Sequence, residues 1–254
     1  MGLILSRMLF LTMAGALSAQ TNQWYDFLRE LDTSVRSPDV DNVEKKAEWI
    51  GKYLGKTWQQ VTQRFGAKFV MPSFVDGGRL RALNTPWKCI GGKVAMLDNA
   101  GYCSARNVIS YDGYYLAGLS KRIAARNHSL GDFAVTLALG HETGHAMQFQ
   151  LGIESIFDFP NEQFADCFAG VMTYYLGSDG LLRPHDVEEA KATLTLLAEF
   201  AGNKKAGLFD KDAHGDAEQR VSAFLSGYLT GEKGCISYEP RPPWKPPLPS
   251  GSRF

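Results

Sequence analysis

The chain has 254 residues, 44% of them hydrophobic and 12% aromatic. That is enough apolar surface for a sizeable core, at a length where one large domain or two small ones both fit. Lys and Arg together number 27, as do Asp and Glu, so a general electrostatic attraction to nucleic acid or an anionic membrane is excluded and any partner is recognised locally.

Residues 1–19 read as an export signal. Arg7 precedes an apolar run over residues 8–17, and Ala16, Ser18 and Ala19 offer small residues for cleavage. The run is too short to span a bilayer. The mature chain would then begin near Gln20, in a secreted or periplasmic setting and with no stable membrane span. Cys89, Cys103, Cys167 and Cys235 are even in number, as suits disulfides in an oxidising compartment, and none are spaced as CxxC. Three connectivities are open. Cys89 with Cys103 and Cys167 with Cys235 is the expected pairing, because the first two flank one local hairpin-like segment.

From Val40, the apolar residues Val43, Ala47, Ile50, Leu54, Trp58, Val61 and Phe65 recur every three or four positions, which predicts an amphipathic helix with Ser37, Pro38 and Asp39 as its start signal. Over residues 66–131 glycines, aromatics and β-branched residues interleave, and 93–97 and 107–111 read as short strands of a small sheet. The pattern then returns to helix over 133–151, with Gly152 placed to stop it. A further helix is predicted over 162–176, ending at Gly177 and apolar nearly all round, as in a fully buried element. Val187, Ala190, Leu194, Leu197 and Ala201 mark a fourth helix. Asp216 with Gln219 resembles a capping box opening a fifth, which carries Val221, Phe224, Leu225 and Tyr228. Six of the eleven prolines fall within residues 240–249, so residues 239–254 read as an extended polyproline tail beyond a domain over 20–238. The expected fold is α+β, a small sheet followed by a helix pair and further helices.

The segment LALGHETGHAMQ places His141, Glu142 and His145 as HExxH within a predicted helix. Residues four apart share a helical face, so both imidazoles can reach one ion. Glu142, about 100 degrees round the helix, flanks the site and can reach a water there. Imidazoles and a carboxylate in so apolar a helix are costly unless something coordinates them. A catalytic zinc site needs a third protein ligand and leaves a vertex for water. A third histidine six residues beyond His145 is excluded, because that position is Leu151. Downstream stands NEQFADCFAG, in which Glu162 and Asp166 are again four apart. Glu162 is the expected third ligand, and Asp166 the group that orients an imidazole, His141 first, through its second ring nitrogen.

HExxH followed by NExxxD resembles the gluzincins, the thermolysin-like peptidases in which that glutamate is the third zinc ligand. Four blocks, AGYCSARNVISYD, HETGHAMQ, EQFADCFAG and DAHGDAEQRV, resemble more closely the neutral zinc metallopeptidase family of bacteria, over somewhat more than half the chain. The resemblance implies a zincin-like fold and a zinc-dependent peptidase that acts on peptide or protein substrates. It gives His214 a role as donor to the oxyanion that develops when water adds to the carbonyl. Tyr174 and Tyr175 are alternative donors. Residues 99–102, Asn-Ala-Gly-Tyr, resemble the edge strand that binds substrate backbone by strand addition. The expected chemistry is peptide-bond hydrolysis with Glu142 as general base. A competing expectation is a non-catalytic, zinc-stabilised protein that binds a peptide or cell-envelope partner, against which Glu142 argues, since a structural site uses four protein ligands and no base.

Overall fold

The computed structural model describes residues 40–64, 66–78, 89, 99–207, 210 and 214–237. The expected signal segment, residues 37–39, the strand at 93–97 and the proline-rich tail lie outside them. The described chain is α+β and mostly helical, with a three-stranded sheet and one continuous core cluster.

Helix α1 spans Val40–Arg64 and buries Val43, Ala47, Ile50, Leu54, Trp58 and Val61, the stripe its periodicity predicts. In the sheet, β1 (Ser73–Asp76) pairs in parallel with β3 (Val108–Tyr111), and β2 (Ala100–Cys103) pairs antiparallel on the other side of β3. Residues 113–127 depart from the expected run of strands and turns and form helix α2, Gly113–Asn127. Its start is set by Asp112, whose carboxylate accepts from the backbone of Tyr114 and Tyr115. Leu116, Leu119, Ser120 and Ile123 then form its buried stripe.

Helix α3 spans Phe133–Leu151 and ends at Gly152 in a left-handed conformation, as predicted. Its first turn is capped from a distance: Glu189, on a later helix, accepts from the backbone of Gly131 and Phe133, both at 2.9 Å. At its other end the Gln150 side chain exchanges hydrogen bonds with the backbone of Val70 and reaches Asn107, which ties the helix to the chain entering and turning within the sheet. Helix α4, Asp158–Ser178, starts one turn before the predicted 162–176. Pro160 fits that added turn, where a missing N–H costs no helical bond. Gly177 does not stop the helix, which closes at Asp179.

Helices α5 (Asp186–Phe200) and α6 (Ala217–Thr230) match the predicted fourth and fifth, and α6 opens with the complete Asp216/Gln219 capping box. A short α7, Glu232–Ser237, follows. Both expected disulfides are present, Cys89–Cys103 and Cys167–Cys235; the second fastens α7 to α4. Among the described residues no helix is long and apolar enough to cross a membrane.

Candidate metal centre

The centre lies where α3 and α4 meet, and the contact depends on two glycines of α3. A Cβ on Gly144 would come 2.9 Å from the Cα of Ala165, and one on Gly140 would meet the tip of Met172 at 2.6 Å. Each glycine precedes a histidine, so the face that lets α4 approach closely sits beside His141 and His145. Glu162 and Asp166 flank Ala165 on α4 and thereby reach across.

The Nε2 atoms of His141 and His145 are 3.2 Å apart. Glu162 lies 3.2 Å from the first through Oε2 and 3.3 Å from the second through Oε1. Glu162 Oε2 is buried and has no well-aligned hydrogen bond among the described residues, and the three side chains face a common point. His141, His145 and Glu162 could hold a metal ion.

Behind them, Asp166 Oδ1 lies 2.8 Å from His141 Nδ1. An ionised carboxylate only accepts, so the hydrogen is on Nδ1 and, in the neutral ring, the Nε2 lone pair points into the site. This is the placement expected of Asp166. Gln148 Oε1 stands 3.2 Å from His145 Nδ1 and orients the second imidazole in the same way. Asp166 is fully buried and receives Arg220 of α6 in a two-pronged contact, Nε to Oδ2 and Nη2 to Oδ1, both 2.9 Å.

Neither Gln148 nor Arg220 was anticipated from the sequence. Gln148 had a signal, three positions beyond His145 on the same helix. Arg220 had one too, since it occupies the stripe it shares with Ala223, Phe224 and Gly227, where a charge is out of place without a partner.

The electrostatics of the chain alone follow from burial and pairing. Burial disfavours the charged form of His141, but Asp166 and then Glu162 outweigh it and lift the ring to about 10. Burial likewise opposes charging of His145, and Glu162 raises it. Burial pushes Glu162 up, yet the two imidazoles hold it well below the usual carboxylate range. Asp166 is pushed up by burial and drawn lower overall by Arg220 and His141. A cation entering the site displaces protons from the histidines, so metal binding and proton release are linked.

Glu142 is buried beside the histidines on α3, and its charge acts on both His145 and Arg220. His214 reaches the rim, its Nε2 3.7 Å from Glu162 Oε2, with a side chain 48% exposed; Gln163 donates to its backbone carbonyl at 3.3 Å.

Tyr174 and Tyr175 stand elsewhere. Twelve residues along α4 from Glu162 to Tyr174 is about 18 Å, and the Tyr175 hydroxyl bonds to Glu232 and Arg64. They are not donors to this site. The 99–102 segment leads into β2, which lies at the edge of the described sheet and packs against α3.

No family model matches the chain, and no solved structure matches it. It is similar to the uncharacterized protein YpfJ of Escherichia coli strain K12, with 27% identity over 222 residues that cover 80% of this chain and 74% of the relative. The uncharacterized protein YpfJ of Escherichia coli O6:H1 strain CFT073 is similar to the same extent. Neither name states an activity.

Proposed function

We propose that this protein is a zinc-dependent peptidase of gluzincin type, with a zincin-like fold and membership of the neutral zinc metallopeptidase family of bacteria. The observation that carries the reading is the convergence of His141, His145 and Glu162: the two Nε2 atoms stand 3.2 Å apart, and Glu162 presents Oε2 to the first at 3.2 Å and Oε1 to the second at 3.3 Å. A tetrahedron with metal–ligand bonds of about 2.0–2.1 Å has edges of about 3.3–3.4 Å, so the 3.2 Å between the two Nε2 atoms is close to one edge of a zinc shell, with Glu162 in reach as a third ligand. Charge supports it. Glu142, Glu162 and Asp166 against Arg220 leave two negative charges in a largely buried cluster, the charge a divalent cation balances while the imidazoles stay neutral.

His141, His145 and Glu162 would hold the zinc, which would supply Lewis acidity, lowering the pKa of water toward about 7. Glu142, the one carboxylate of the cluster assigned neither to the ion nor to an imidazole, takes the proton of the attacking water and passes it to the leaving amine. His214 at the rim donates to the developing oxyanion, and the β2 edge offers backbone groups to an extended peptide. Two disulfides suit an oxidising compartment, which supports a secreted or periplasmic protein.

Elemental analysis paired with cleavage of a peptide library tests the assignment. The wild-type chain is expected to carry one equivalent of zinc and to hydrolyse peptides. Glu142→Gln should keep the zinc and lose at least about 10²-fold in turnover, the lower end of what general base catalysis contributes. Undiminished cleavage by Glu142→Gln would remove Glu142 from the mechanism.

A further inference from the structure

Arg220 hydrogen-bonds to Asp166 and to none of the three candidate ligand side chains, yet it is one of the most deeply placed charges among the described residues, 4% exposed. Its guanidinium grips both oxygens of Asp166, and Asp166 Oδ1 is shared between Arg220 Nη2 and His141 Nδ1. A planar fork on a carboxylate fixes the carboxylate's rotation as well as its place. The backbone carrying the fork is packed directly against α4. A Cβ on Gly227 of α6 would lie 2.0 Å from the carbonyl oxygen of Cys167, and one on Gly170 of α4 would lie 2.0 Å from that of Phe224. The two helices therefore touch backbone to backbone, next to Asp166. The capping box of Asp216 and Gln219 fixes the first turn of α6 immediately before Arg220.

We propose that Arg220 is a positioning residue for metal binding: it sets the carboxylate of Asp166 so that His141 presents Nε2 to the ion, and it thereby makes the metal affinity of the α3–α4 site depend on α6. The inference rests on the reading of His141, His145 and Glu162 as the metal site. It adds a residue 54 positions from Asp166 that acts on the ion only through two others.

Zinc affinity of the full chain, measured by competition with a chromophoric chelator, tests it, with the visible absorption of the Co²⁺-loaded chain as a second readout. Arg220→Lys keeps the positive charge but cannot form the two-pronged contact. It is expected to weaken zinc binding by about 10–100-fold, the range for losing an outer partner of a metal ligand, and to alter the Co²⁺ band. Val221→Ala, next along α6 and only partly buried, thins the packing without touching Asp166, and it should keep wild-type affinity and spectrum. If Arg220→Lys fails to fold, the Asp166→Asn/Arg220→Met double variant, which strands no buried charge, is expected to bind zinc with the same loss of about 10–100-fold.

Wild-type affinity and spectrum in a folded Arg220→Lys or double variant would overturn the positioning role alone. Equal losses in Arg220→Lys and Val221→Ala would also overturn it, since general loosening of α6 would then explain both. A wild-type chain that takes up no zinc or Co²⁺ would overturn it together with the metal-site reading.

Discussion

Asp132, the residue before α3, holds two cations on one carboxylate oxygen, Oδ2: Lys46 at 3.1 Å, itself 2% exposed, and Arg183 at 2.7 Å. Burial pushes its carboxyl up, but Lys46 and Arg183 outweigh that and leave it below the ordinary carboxylate value. A lowered folded value means that the stabilisation is complete above the unfolded value, near pH 4, and is lost as pH falls through the folded one. Asp186 shares Arg183 and is pushed up by burial, so it works against this trend. The Asp132 contribution is therefore read by difference: Asp132→Asn is expected to cost about 3–5 kcal/mol near neutrality, as for a broken buried ion pair. Urea unfolding should show that difference shrinking below about pH 4; a pH-independent difference would contradict the pairing. That His141 and His145 share one helical face, and Glu162 and Asp166 another, was legible in the sequence because residues four apart on a helix lie one turn above each other. Arg220 was not, because the partner that explains a charge inside an apolar stripe lies 54 positions away.

At the scale of the elements, the approach of α3 to α4 is the step on which the centre depends. Gly144→Ala puts a methyl group 2.9 Å from the backbone of Ala165, which cannot swing aside, whereas Gly140→Ala meets the movable end of Met172. Overpacking of about 1–3 kcal/mol at Gly144 outweighs the gain of at most about 1 kcal/mol from replacing a helical glycine. Gly144→Ala should therefore lower both stability and zinc affinity. Gly140→Ala should be nearly neutral in both, because Met172 can repack. Thermal melts with and without zinc compare the two variants, and equal effects would show that helix spacing is not what Gly144 provides. Helices α1, α3, α5 and α6 were readable because each carries its apolar pattern within its own residues, and α3 and α6 have a stop or start signal directly beside them. The whole of α2 was missed, since Gly113, Tyr114 and Tyr115 at its start resemble strand and turn composition and only the Asp112 cap marks a helix. The cap of α3 by Glu189 had no local signal at all, because the donor and acceptor are 56 residues apart for Phe133.

Over the whole molecule, the Cys167–Cys235 disulfide closes a separation of 68 residues and Cys89–Cys103 one of 14. In the chain-entropy account these contribute about 4 and about 3 kcal/mol respectively. Replacing both cysteines of the longer loop by alanine should lower the unfolding free energy more than replacing those of the shorter one, as read by urea titration, and the reverse order would contradict that account. Both pairings were expected, although the sequence alone left three open. The sequence by itself determined the helical periods, the capping box, and which side chains of α3 and of α4 face one way, because these depend on residues a few positions apart. Only the tertiary structure decided that the two faces meet at the spacing of one ion, that His214 comes to the rim while Tyr174 and Tyr175 do not, and that α6 braces Asp166. Those outcomes depend on how closely separate helices pack, and that distance is set by glycines and buried partners far apart along the chain.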